Sequence, residues 1–228
     1  MGPSADGAES ILQGLVSVTG DGMNQQAPIA SDAREHLLET ASRVMRDADK
    51  VDISLAQLSR KSGLNSALVK YYFGNKAGLM RALLDRDMRR IQRSVDTLLA
   101  KDLDPETKLR RHLSAVVDTF YETPYIQRLM MRLIRESETY EAQRIADSYL
   151  MPLYQAYHLL IGEGVKAGMF RPVDPQLFYF SVTGAADRFF SARLFLRYCF
   201  GEDSLTEELR DRYRTHAIDF IMAGVLRN

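Results

Sequence analysis

Cysteine is almost missing from this sequence. Cys199 stands alone, which excludes an intrachain disulfide and a thiolate zinc site and makes a cytoplasmic setting the default expectation. Long apolar runs are missing too, since no stretch approaches the roughly 20 uninterrupted apolar residues of a membrane-spanning helix. The short apolar patch at 11–18 follows Asp6 and Glu9, where a secretory signal would carry bases, so it does not read as one. No P-loop, GxSxG, HExxH or GxGxxG fingerprint occurs, and His36, His112, His158 and His216 are too scattered to form a ligand set. No catalytic residue, cofactor or metal is therefore expected.

Net charge is lacking as well, with 30 basic residues against 30 acidic ones. The distribution is less even than the sum. Before Arg34 there is no base, against Asp6, Glu9, Asp21 and Asp32. From Ser54 to Lys76 the bases are Arg60, Lys61, Lys70 and Lys76, with no acid among them. From Ala77 to Lys101 there are six bases and three acids. One modest stretch thus gathers positive charge, which is the footprint a polyanionic partner would read.

What is present is helix after helix. Residues 1–30, rich in Gly, Ser, Ala and Gln, read as a disordered leader, and Met23 is an alternative start. Asp32 is placed to cap a first helix whose apolar positions are Ala33, Leu37, Ala41, Val44 and Met45. Ser54 caps a short second helix that Gly63 closes. Asn65 caps a third through Phe73, and a long helix is expected from Lys76 to about Ala100. Pro105, Pro124, Pro152, Pro172 and Pro175 punctuate the remainder. Strand-like alternation is absent, so the fold class is all-α. An N-terminal three-helix domain (31–78) precedes a C-terminal helical domain (79–228).

Two short helices joined by a turn containing Gly make a helix-turn-helix pattern. Leu55, Leu58 and Ser59 would face Val69 and Phe73. Ser66, Ala67, Lys70 and Tyr71 then fall on the opposite side, because steps of three and four keep residues on one helix face. Small, basic and aromatic side chains on one side of a short helix suit entry into the major groove of double-stranded DNA. An ordinary two-helix corner of a bundle would show the same spacing.

The run from Ser54 to Lys76 resembles the DNA-binding signature of TetR-family regulators. Its most telling part is Tyr72-Phe73, followed by Lys76 and then Leu79. The resemblance is best over residues 34–85 and extends more weakly through the segment Gly164 to Pro172. It implies contacts to phosphates or bases from Ser66, Ala67, Lys70, Tyr71, Tyr72 and Lys76, with Asn65 capping the recognition helix beside a phosphate. It also implies a ligand-responsive repressor that acts as a homodimer on a palindromic operator and is released by a small apolar or amphipathic effector. The sequence departs from the family pattern at three positions. Lys70 stands where many members carry Tyr, Leu68 replaces a Thr or Ser and either meets a thymine methyl or packs, and Gly74 replaces a frequent Lys or Arg. A helical ligand-binding protein without DNA binding is the rival reading. Lys70 and Lys76, with no acid nearby, argue against it.

Large side chains crowd residues 105–170. Phe120, Tyr121, Tyr125, Met130, Met131 and Ile134 are one group, and Tyr154, Tyr157 and His158 another. Aromatic and Met stripes at helical spacing make either a core or the wall of a cavity for an effector. Arg128, Arg132 and Arg135 read as a solvated face. Towards the end, Leu177, Ser181, Gly184 and Ala185 follow helical spacing and leave room for another helix. Leu205, Leu209, Tyr213, Ala217, Phe220 and Ile221 form a second stripe. Paired with the same helices of a second subunit they would form a four-helix interface; the alternative is intrachain core.

Overall fold

Local chemistry sets most of the helix boundaries. The computed structural model describes residues 26–48 and 50–227, with side chains from Asp32 onward. The first helix, α1, is Gln26–Ala48, so Asp32 lies inside it and does not cap it. Residues 26–30 of the expected leader are helical, and the rest of that leader lies outside the described residues. Pro28 falls within the first turn of α1, where a missing N–H removes no intrahelical bond.

The next helices start as their polar side chains dictate. In α2, Leu55–Ser62, Ser54 Oγ accepts the Gln57 N–H at 3.0 Å, and the helix closes at Gly63 with φ 72°. Before α3, Ala67–Phe73, Asn65 Oδ1 accepts the Ala67 N–H at 2.9 Å. Ser66, between them, is already right-handed and makes no capping bond of its own. Asn75 opens α4, Lys76–Leu99, by accepting the Gly78 N–H at 2.9 Å. Asp104 accepts the Thr107 N–H, and Pro105 begins α5, Pro105–Glu122, where no donor is lost. Then come α6, Ile126–Glu136, and α7, Thr139–Ile145.

A π-helical turn, Ala146–Leu150, joins α7 to α8, Met151–Lys166. Pro152 explains why the helix departs from α geometry here. It has no N–H to offer the Ser148 carbonyl four residues back, and its ring crowds that carbonyl. Gln92 of α4 supplies the missing donor, its Nε2 reaching Ser148 O at 2.6 Å.

The remaining helices are α9, Pro175–Ser191; α10, Arg193–Phe200; and α11, Glu207–Val225. Asp174–Pro175 repeats the device of Asp104–Pro105, with Asp174 accepting from the Gln176 and Leu177 N–H groups. Leu205 precedes α11 and is not part of its stripe. Between α8 and α9 the chain turns back sharply. A Cβ at Gly164 would fall 1.9 Å from the Phe170 ring, and only glycine allows that ring, 1% exposed, to fold onto the helix. The described residues contain no strand, only a single bridge between Phe170 and Leu226.

By its contacts the chain divides into Met1–Glu35 and His36–Asn228. The described part of the first is the helical stretch 26–35. In the second, one core runs from Leu37, Leu38 and Met45 of α1 through Leu58, Val69 and Leu83 to Leu129 and Phe190. A second core gathers Leu109, Leu113, Tyr157, Ile161, Phe178 and Met222. The long helix α4 packs against α3, α5, α6 and α8, so it touches the helix-turn-helix and the C-terminal bundle alike. No described helix is long and apolar enough to cross a membrane.

Candidate DNA-binding face and interior cavity

Leu58, Leu68 and Val69 are buried where α2 and α3 meet, with Leu55 and Phe73 packed against them. Burying each such side chain is worth about 1.5–3 kcal/mol, enough to hold one side of α3 down. The other side faces solvent. Asn65, Ser66, Ala67, Lys70 and Tyr71 are all exposed, Tyr71 by 55%. Leu68 is 5% exposed and packs into the core, which removes it from the surface a base could touch. Tyr72 is half-buried with its ring edge-on to Tyr71 at 4.8 Å. Burial first, and then Tyr71, push its hydroxyl above the ordinary value, so it is a neutral hydrogen-bonding group at physiological pH.

Lys70 has no ion partner among the described residues, but Lys76 has one. Its ammonium pairs with Asp52 in the loop before α2, correcting the expectation that no acid lies near it. The Lys76 hydrogen bond and charge, then Arg132, hold the Asp52 carboxyl below its ordinary value. Arg132 of α6 lies 3.4 Å from the same carboxylate and bonds Glu136 at 2.8 Å. Asp52 thus links the first residue of α4 to α6. The corner between α3 and α4 is also tight: a Cβ on Gly78 would sit 1.9 Å from the Phe73 carbonyl oxygen.

A cavity of about 70 Å³ lies among α4, α5, α6, α8 and α9. One face of α5 supplies His112, Ala115, Val116, Thr119 and Phe120, a clean three-four stripe. Met88, Ile91, Ser94 and Val95 of α4 form the facing wall. Ile126, Gln127, Met130, Leu153, Tyr157, Tyr179 and Thr183 complete it, and no Asp, Glu, Lys or Arg lines it. His112 is 3% exposed and neither ring nitrogen has a hydrogen-bond partner; the Tyr157 hydroxyl has none either. The two rings meet edge-on at 4.6 Å. Burial pushes His112 down to about 4 and Tyr157 well above the ordinary phenol value, so both are neutral at physiological pH.

Of the side chains expected on a cavity wall, Phe120, Met130 and Tyr157 line this one. Tyr121 packs edge-on to Phe190 at 6.0 Å under the Arg210 guanidinium, outside it. Tyr125 is fully buried and bonded to Asp87. Met131 and Ile134 pack on the core, Tyr154 is half-buried away from the cavity, and His158 is exposed. His112 was hidden among scattered histidines. The α5 stripe was the signal that could have found it, had polar residues been allowed in an apolar period.

Comparison with known proteins decides the lineage. The sequence model of the Tetracyclin repressor-like C-terminal domain matches residues 102–228, more than half of the chain. The chain belongs to the TetR family of transcriptional regulators. Among curated TetR-family relatives, the regulator BetI of Stenotrophomonas maltophilia is 29% identical over 100 residues, covering 44% of this chain and 50% of BetI. EthR of Mycobacterium tuberculosis is 27% identical over 101 residues, covering 43% of this chain and 47% of EthR. The chain spans about half the length of the curated relatives it matches. Among solved structures, the ketosteroid regulator KstR2 of Mycobacterium tuberculosis superposes with TM-score 0.66 at 15% identity, covering 91% of this chain and 98% of that one. A regulator from Saccharomonospora viridis, solved in complex with choline, gives TM-score 0.63 at 18% identity, covering 87% and 100%. At these identities the structures speak for a TetR-type fold alone.

The residues expected at a TetR-type subunit interface separate into two groups. Leu177, Ser181, Gly184 and Ala185 of α9 are exposed, as is Phe220 of α11 at 74%. Phe180, 60% exposed, joins that apolar surface and was missed by the sequence reading. Leu209 is 3% exposed and interior, and Tyr213 is half-buried, packed on the core of this chain with its ring stacked on Phe189 at 4.0 Å. Ala217 is half-buried. An interior position and an exposed apolar one can share the same helical period, which is why one stripe held both.

Proposed function

We propose that this chain is a cytoplasmic DNA-binding repressor that acts as a homodimer on a two-fold-symmetric operator and releases it when a small, mainly apolar effector occupies the cavity. Residues 31–78 would form the reading head and 79–228 the effector and dimerisation domain. The observation that carries the reading is the exposed Ser66, Ala67, Lys70 and Tyr71 side of α3, set on a buried Leu68–Val69 base. Lys70 and Tyr71 reach base edges or phosphates. Lys76 adds a phosphate contact once it leaves Asp52. One short helix reads few base pairs, so two are needed, spaced about 34–36 Å or a multiple of it in a dimer. Leu177, Phe180 and Phe220 supply an apolar surface for that association.

Coupling follows from α4, which carries Lys76 at one end and the cavity residues Met88 and Ile91 in its middle. An effector that fits only one setting of α4 shifts the population towards it, by no more than its difference in affinity for the two settings. The test is fluorescence anisotropy with DNA from upstream of the gene, at several salt concentrations. Expected is saturable binding by a dimer that weakens as salt rises. Binding that ignores both Lys70→Ala and Tyr71→Ala would end the reading.

A further inference from the structure

We infer that the cavity selects an uncharged, chiefly apolar molecule bearing one hydroxyl or carbonyl oxygen, held by the His112 and Tyr157 side chains. This rests on the effector reading above and names the chemistry of the effector. The first ground is the wall itself, in which no residue of the lining carries a formal charge. An ammonium or a carboxylate entering it would lose its hydration and find no counter-ion. Neutral His112 adds none, since burial disfavours its protonated form.

The second ground is the unmet hydrogen-bonding capacity. Buried polar atoms in native proteins nearly always have partners, and those that lack one call for an explanation. Here His112 Nδ1 and Nε2 and the Tyr157 hydroxyl all lack one, on adjoining rings of the wall, whereas the Thr119 and Thr183 hydroxyls of the same wall are already bonded to the Ala115 and Tyr179 carbonyls. A neutral imidazole offers one donor and one acceptor, and a phenol offers one donor. A ketone oxygen can accept from the phenol and from the imidazole N–H. An alcohol can accept from the phenol and donate to the bare ring nitrogen. One oxygen meets the phenol and one of the two ring nitrogens without bringing charge.

The third ground is size. The cavity, about 70 Å³, is smaller than the roughly 150 Å³ cavity that admits benzene. A ligand of that size seats only as side chains yield, and Met88 and Met130 are the wall residues whose flexible thioethers can do so. Small monocyclic or short-chain alcohols and ketones fit this description.

Isothermal titration of the full-length protein with cyclohexanone, cyclohexanol, cyclohexanecarboxylate and choline tests the class directly. The ketone and the alcohol should bind, and the carboxylate and choline should be at least about tenfold weaker, because their charge loses its hydration and finds no counter-ion in the wall. Tyr157→Phe should weaken cyclohexanone about tenfold while leaving methylcyclohexane unchanged, a contrast that a merely structural role would not produce. His112→Phe should do the same. Choline or the carboxylate binding as tightly as the ketone, or no probe binding at all, overturns the inference even if a variant fails to fold. Anisotropy with operator DNA separates the two readings. Ketone binding without DNA release defeats the effector reading and keeps the ligand class. Release by choline, abolished by Tyr157→Phe, defeats the class and keeps the effector reading.

Discussion

Tyr125 donates its hydroxyl to Asp87 Oδ2 at 2.7 Å while lying 2.7 Å from Ser42 Oγ. Three parts of the chain meet there: α1 through Ser42, α4 through Asp87, and the turn into α6 through Tyr125. Arg86 pairs with the same Asp87 carboxylate at 2.8 Å. Met88 and Ile126, each next in sequence to this junction, line the cavity. Under the proposed function, a ligand that displaces either one would press on this junction of α1, α4 and the turn into α6.

Tyr125→Phe removes the hydroxyl and leaves Asp87, 6% exposed, with fewer partners. An abandoned buried acceptor costs about 1–3 kcal/mol. The urea midpoint of the purified protein should fall accordingly, with the slope unchanged. An unaltered midpoint would mean the joint bears no strain of packing or charge.

The buried imidazole of His112 makes stability depend on acid. An unfolded chain takes up this proton near pH 6.5, whereas the folded one does so only near 4. Stability from this group is therefore complete above pH 6.5 and is lost as pH falls towards 4, by about 3 kcal/mol in all. Denaturant titrations at pH 7, 5.5 and 4.5 should show a smaller decline for His112→Phe than for the native chain.

Lys70→Ala or Tyr71→Ala should weaken operator binding by about 1–3 kcal/mol. Asp52→Asn should act in the opposite direction. It frees Lys76 from its ion pair, so binding should tighten for all sequences and its dependence on salt should steepen. Anisotropy between 50 and 200 mM salt, roughly the range over which such contacts respond, resolves both effects.

Gly78→Ala would force a methyl group against the Phe73 carbonyl. Overpacking of this kind costs about 1–3 kcal/mol, and here the strain falls on the corner that aims α3. Loss of DNA binding is expected to exceed the loss in thermal stability. Equal losses would point to general unfolding of the head.

Phe220→Asp and Leu209→Ala should part company. Phe220 is exposed within the subunit, so the charge should shift light-scattering mass towards the monomer without unfolding the subunit. Leu209 is interior, and truncating it should cost about 2–5 kcal/mol of stability.

The helix-turn-helix was legible because its determinants are local. Ser54, Gly63 and Asn75 cap or close helices through bonds spanning a few residues, and the α3 period separates buried Val69 from exposed Lys70. Asp32 misled because a good capping residue is tolerated inside a helix that simply continues through it. The Lys76–Asp52 pair was invisible because it spans 24 residues and a change of direction. Cavity residues come from five helices, so no single stretch of sequence could show which aromatics share a wall.

The π-helical turn at Ala146–Leu150 has a further effect on that wall. Such a turn inserts one residue, and each residue advances a helix by about 100°. Everything C-terminal to it is thereby rephased, including Leu153 and Tyr157, which reach the cavity one turn apart. Deleting a single residue between Ala146 and Leu150 would leave α8 intact in length of rod yet rotate its cavity-facing edge away by more than a quarter-turn, so insertions and deletions here act as a dial on the shape of the interior space.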